Sequence, residues 1–369
     1  MKTHERMKEI EHELADALRQ QLERIPSLEI ESMSKDWEVS ISRNMALARP
    51  DILARVKMAD RKVTLVCEVK EPAYPRQVRS AIDQLYAYMT RYRLHDDADV
   101  VVPVVGASWL SPESRDICAE AGMGWLDLAG NCRIAFDGVY IERETADKPK
   151  PAARNYRAVF SPKAGQVLRT LLLDPKRAWK VNDLAEASDV SLGHVSNVRS
   201  ALRDREWAKV DDEGLHLTAP DALLDAWCDS YEPVRGKRSF WYSILHGRQW
   251  EETLRAALDR PHAAGHAMLG GLSAAQWLAP YLRGNMTTLY ADPAVMPELI
   301  EALKLKPSKS GANVEVIEPD DPAILKERVE IPGAPPVSSP VLTYLDLSRL
   351  DDRGREAAEH LREQLLKWH

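Results

Sequence analysis

A chain of 369 residues, 44% hydrophobic and 29% charged, carries enough apolar material for two or three separately packed domains. It has no apolar run approaching the ~20 residues that cross a bilayer, so no membrane role is expected. A formal net charge of −7 excludes indiscriminate coating of nucleic acid, and any DNA contact must come from local basic patches.

Four cysteines, Cys67, Cys118, Cys132 and Cys228, lack CxxC spacing. They argue against zinc or a disulfide framework and for a reduced, cytoplasmic chain. The amino terminus, MKTHERMKEIEHELADALRQQLERI, reads as a charged amphipathic helix rather than a signal peptide, with Leu14, Leu18 and Leu22 as its apolar stripe. Trp37 to Ala48 is strand-like and leads into Pro50-Asp51. A polar turn, Met58-Ala59-Asp60-Arg61-Lys62, precedes a largely buried strand with Val63, Leu65, Val66 and Cys67. Strand side chains repeat every two residues, so Glu68 and Lys70 share a face, and a hairpin lets Asp51 reach it. Two carboxylates and an ammonium then converge. That set suits Mg²⁺, or Mn²⁺ in its place, which is held through one or two carboxylates plus water and phosphate oxygens.

A helix over Arg76 to Arg91 places Gln84 and Tyr88 one turn apart on one face. The β-branched run Ala98 to Val105 predicts a strand covered on both faces. Ser111-Pro112-Glu113 starts a helix, with serine as cap and proline at the first position. Gly124 to Ile134 reads as strand, turn and strand, with turn roles for Asp127 and Asn131.

These residues resemble the PD-(D/E)xK nuclease superfamily, its motif reading here as Pro50-Asp51 … Glu68-Val69-Lys70. Gln84-Leu85-Tyr86-Ala87-Tyr88 resembles the QxxxY motif of its RecB-like and lambda-exonuclease-like branches. The resemblance implies a restriction endonuclease-like α/β core over residues 1–147. It also implies metal-dependent phosphodiester cleavage, with Asp51, Glu68, Lys70, Gln84 and Tyr88 around the site. A carboxylate on the first helix often completes such sites. Glu11 and Glu13 both qualify and nothing in the sequence chooses between them; Glu13 is taken beside Asp51 and Glu68 as the expected metal ligand.

Residues 148–160 are proline-rich, basic and weakly periodic, and read as a linker. Between Lys148 and Lys180 lie nine Lys/Arg residues and one acid, Asp174. Such a run, Lys163 and Lys180 included, makes a phosphate-contacting patch. Three helices follow, beginning at Ser161, Val181 and Ser191. A hairpin then forms from Trp207-Ala208-Lys209-Val210 and Leu215-His216-Leu217 around Asp211-Asp212-Glu213-Gly214. This order, within 161–231, resembles a winged helix-turn-helix that binds double-stranded DNA. Val195, Val198 and Leu202 face inward on the third helix, leaving His194, Asn197, Ser200 and Arg203 for a major groove. The acidic tip does not suit insertion into a minor groove.

From residue 232 a third, α/β domain is expected. Its Gly270-Gly271 turn before Ser273 is read as closely packed backbone, because only Asp292 follows on the next strand where nucleotidyl transfer needs paired carboxylates. Gly271 to Ala275, Pro340 to Leu347 and Gly354 to Leu361 resemble AbiEi-type antitoxins of type IV toxin–antitoxin systems. That resemblance implies autorepression and neutralisation of a cognate toxin protein. Two functions are therefore expected in alternative: a Mg²⁺-dependent nuclease directed to DNA by a winged helix, or a regulator whose nuclease-like domain only binds or forms a homodimer.

Overall fold

The computed structural model describes residues 2–34, 50–95, 100–145, 159–259, 266–282 and 284–368. The strand expected from Trp37 to Ala48 and nearly all of the expected linker lie outside the described residues. The chain divides into two compact units, residues 1–155 with 201–206, and residues 156–200 with 207–369. Both are α/β.

The first unit is built on a seven-stranded sheet whose spatial order is its sequence order. The strands are β1 (Leu28–Ser34), β2 (Ile52–Met58), β3 (Arg61–Val69), β4 (Val100–Ala107), β5 (Gly124–Asp127), β6 (Cys132–Phe136) and β7 (Val139–Arg143). Strands β1 to β3 form an antiparallel meander, β3, β4 and β5 run parallel, and β5 to β7 turn back antiparallel. The parallel pairs need crossovers, and these are α2 (Pro75–His95) and α3 (Pro112–Glu120). Ser111 caps α3 as expected, its Oγ accepting from the Ser114 amide at 3.1 Å.

Alternation along β3 decides what each sheet face buries. Val63, Leu65, Cys67 and Val69 pack with Ile10, Leu14, Leu18 and Leu22 of α1 (Lys2–Glu23). Val66, one step out of phase, packs with Val78, Ala81 and Leu85 of α2. Strand β4 is buried along almost its whole length, as a strand with helices on both faces should be.

In the second unit, α4 (Pro162–Leu173), α5 (Val181–Ser188) and α6 (Leu192–Asp204) precede the hairpin of β8 (Ala208–Val210) and β9 (Leu215–Leu217). Trp179 extends that hairpin, exchanging backbone hydrogen bonds with Leu215 at 3.0 and 2.9 Å. Gly214 sits at φ +143°, and a Cβ there would lie 2.5 Å from the Trp179 carbonyl oxygen, so only glycine fits the turn. After α7 (Pro220–Ser230) come β10 (Gly236–Ser243), α8 (Gly247–Leu258), β11 (Ala267–Leu269), α9 (Gly271–Leu278) and β12 (Thr287–Ala291). The chain ends with α10 (Met296–Ala302), β13 (Leu305–Pro307), β14 (Val314–Pro319), α11 (Pro340–Ser348) and α12 (Asp352–Leu365). The five strands order as β11-β12-β14-β10-β13. One face buries Leu269, Leu289 and Val316 against Leu254, Leu258 and Leu299 of α8 and α10. No described helix is long and apolar enough to cross a membrane.

Candidate functional site

In the first unit, the β2–β3 register places Ile52 opposite Cys67. One step further along the antiparallel pair, Asp51 stands across from Glu68, and directly opposed residues share a face. The Asp51 carboxylate is anchored there, its Oδ2 accepting from the Val69 amide at 2.7 Å. Glu68, only 5% exposed, is held by two neighbours. Lys70 Nζ donates to its Oε1 at 2.7 Å, and the Tyr88 hydroxyl donates to its Oε2 at 3.2 Å. Lys70 Nζ also donates to Gln84 Oε1 at 2.8 Å. Gln84 and Tyr88 thus work from one face of α2, an i, i+4 pair reaching down to the strand end.

Burial pushes the Glu68 carboxyl up from its ordinary value, and the charge of Asp51 pushes it the same way. Lys70 and Tyr88 pull against both. A carboxylate pair that is mutually unfavourable and half-withdrawn from water is relieved by a cation. Among the described residues, no three His, Cys, Asp or Glu side chains gather closely enough to hold a metal ion. Mg²⁺ takes one or two carboxylates and completes its shell with water.

On α1, Glu13 is exposed. Glu11 is partly buried, and its charge bears on the Cys67 thiol together with those of Asp51 and Glu68. Glu11 lies three residues before Leu14 and seven before Leu18, so it shares their sheet-facing stripe. Glu13 is roughly 200° further round the helix. Cys67 itself is fully buried and its thiol is pushed well up by that burial, which leaves it a packing residue. Asp127 and Asn131, both 1% exposed, close the β5–β6 turn: Asp127 accepts from the Asn131 amide and side chain, each at 2.9 Å.

Along α6, Val195, Val198 and Leu202 are buried as expected, and His194, Asn197, Ser200 and Arg203 are exposed. Ser191 accepts from the His194 amide at 3.4 Å and contacts its Nδ1 at 3.0 Å. Lys180 is exposed, and so is Lys163, 3.8 Å from Asp321. The basic run is less available than its composition implied, because Arg169 is buried and paired with Glu327. Arg177 lies over the Trp179 ring, 3.9 Å from its centroid. At the hairpin tip, Asp211 accepts from the Glu213 and Gly214 amides and pairs with His216, so its charge goes into building the turn. The Gly270 turn is also structural: a Cβ at Gly270 would lie 2.4 Å from the Tyr290 ring.

Sequence reasoning missed a buried polar centre in this unit. Asp346 of α11 accepts from the Tyr231 and Tyr290 hydroxyls, each at 2.7 Å. Nothing in the spacing of Tyr231, Tyr290 and Asp346 signals the contact; a lone acid inside the apolar run Val341 to Leu347 was the available hint.

Residues 216–367 match a family described as transcriptional regulator, AbiEi antitoxin, of type IV toxin–antitoxin systems. Among solved structures, the chain is similar to an XisH family protein from Nostoc punctiforme, at 14% identity and a TM-score of 0.22, over 32% of this chain and 92% of that one. No curated protein matches the chain. The likeness to AbiEi antitoxins is thus a property of the segment from β9 to the end of α12.

Proposed function

We propose that this protein is a DNA-binding regulator of the toxin–antitoxin kind, with a winged helix over 161–231 and a cognate toxin as its protein partner. The match of residues 216–367 to AbiEi antitoxins carries this reading. The exposed polar residues on α6 support it, since asparagine and arginine suit adenine and guanine edges in a major groove. Footprinting on the DNA upstream of its own gene should give a protected site whose affinity falls with salt. Asn197→Ala and Arg203→Ala should each cost about 1–3 kcal/mol on that site and relax its sequence preference. Lys180→Ala should instead weaken all duplexes alike and lower the salt slope by about 1. Protection that is unchanged in both α6 variants defeats the assignment.

A second reading is favoured by one specific observation, the hydrogen-bonded set of Glu68, Lys70, Gln84 and Tyr88 beside Asp51. In it the first unit cleaves phosphodiester bonds. Asp51 and Glu68 would hold the divalent ion, and Glu11 would add negative charge from α1. The bound ion lowers the pKa of its water and offsets charge on the phosphate. Lys70 spends two of its three N–H donors on Glu68 and Gln84, which fixes the ammonium for a developing negative charge. Duplex, single-stranded and branched DNA with Mg²⁺ or Mn²⁺ test it. Cutting should fall at least about 100-fold in both Glu68→Ala and Lys70→Ala. No cutting of any substrate by the unaltered chain leaves the regulator alone standing.

A further inference from the structure

Large apolar side chains normally turn inward, and Trp241 of β10 does so, packing against the core of the second unit. Its neighbours do the opposite. Phe240 is 46% exposed, Tyr242 44% and Ile244, just past the strand, 57%. The period of two puts Phe240 and Tyr242 on one face of the sheet, with Ile244 beside its end. Further across that face Tyr290 and Ile317 are covered, the Tyr290 hydroxyl being taken by Asp346 of α11. The half bearing Phe240 and Tyr242 is open.

The rim of this open half is basic. Lys306 of β13 pairs opposite Tyr242, and Lys304 immediately precedes the strand. Lys309 follows Ser308, whose amide donates to the Phe240 carbonyl at 3.0 Å. All three lysines are exposed, and among the described residues none has an ion-pair partner. Arg238, on the same face, is tied to Glu315 at 2.8 Å. In a chain of net charge −7 this is a local excess of positive charge beside two open rings.

We propose that the open half of this sheet is a platform for single-stranded nucleic acid, with bases stacked on Phe240 and Tyr242 and phosphates on Lys306 and the neighbouring Lys304. Rings two residues apart on a strand stand about 7 Å from one another, and the lysine strand runs about 4.8 Å to the side. A stacking row thus lies beside a charged row, the arrangement that binds single strands without sequence preference. Lysine decides against an acidic protein as occupant, because protein interfaces are depleted of lysine while its mobile point charge follows a flexible phosphate backbone. This surface is separate from the α6 residues and from the Glu68 site.

The test is fluorescence anisotropy of the full chain with a labelled oligothymidylate of roughly twelve nucleotides, in EDTA to exclude cleavage. Phe240→Ala and Tyr242→Ala should each weaken binding about tenfold, and Phe240→Trp should keep it. Lys304→Ala with Lys306→Ala should reduce the salt slope by about 1.4. Asn197→Ala should leave oligothymidylate binding unchanged, which separates this proposal from the duplex-binding one. Circular dichroism of each variant excludes misfolding as the cause. Affinity indifferent to both aromatic replacements overturns the platform. So does light scattering in which Phe240→Ala turns a dimer into a monomer, which would make the face a contact between copies.

Discussion

Glu327→Ala should destabilise the second unit by about 3–5 kcal/mol, as a lower urea midpoint followed by tryptophan fluorescence. Glu327 lies in a short 3₁₀ turn, Pro322–Glu327, and receives the Arg169 guanidinium from the middle of α4. Arg169 is 6% exposed, so removing its carboxylate strands a cation where water cannot replace the lost partner. Its guanidinium lies 5.8 Å from the centroid of the Trp227 ring, which makes that indole a local reporter. Burial also pushes the Glu327 carboxyl up, with Arg169 pulling it down, so the glutamate is charged because of its partner. The double replacement Arg169→Leu with Glu327→Leu should recover most of the loss, since a well-packed apolar pair often equals a buried ion pair. A single variant as stable as the unaltered chain would mean that solvent reaches Arg169 after all. The contact joins α4 to the segment after β14, so weaker duplex binding should accompany the single variant.

The second large effect is a pH dependence set by Asp346. Burial pushes its carboxyl up to about 6, against the opposing pull of Tyr231, Tyr290, Arg169 and Arg238. The folded value lies above the unfolded one, so the native state binds this proton more tightly. Its contribution to stability is fully present below about pH 4 and is lost as pH rises through 6. The difference amounts to about 3 kcal/mol, from roughly 1.36 kcal/mol per pKa unit. Asp346→Asn removes the titration while keeping one acceptor and one donor for the two tyrosines. The unaltered chain should therefore gain more stability than Asp346→Asn between pH 7 and pH 5, read as the difference between their melting curves. Identical pH profiles would show that the carboxyl titrates at its ordinary value. Asp346→Ala should also lose stability because two buried hydroxyls lose their acceptor, and its loss should be larger at pH 5 than at pH 7.

Local patterning made the Asp51–Lys70 hairpin readable. Two apolar runs, a polar turn and the period of two were enough to bring Asp51 and Glu68 to one face. Helical spacing put Gln84 and Tyr88 on one face of α2, and the QxxxY resemblance pointed that face at Glu68 and Lys70. Strand β10 was not readable, because Phe240-Trp241-Tyr242 is aromatic at every position and hides which residues turn inward. Strand β1 was missed for a similar reason: Glu29 and Glu31 interrupt a short run whose pairing is decided by β2. Arg169 looked like part of a basic patch because its partner Glu327 lies 158 residues away, beyond any local pattern. The same distance effect concealed Asp346, which needs Tyr231 and Tyr290 brought together by the fold.

Every described strand of the first unit after β1 pairs with the described strand before it. As the chain leaves the ribosome, each new strand meets a template already in place, so short loops close early and cheaply. In the second unit β9 and β12 follow that order, but β10 does not. Strand β10 must wait for β13 and then β14, with Arg238 meeting Glu315 77 residues later. Synthesis therefore delivers a finished amino-terminal half ahead of a carboxyl-terminal half that can close only near its end, and early termination should spoil the second while sparing the first.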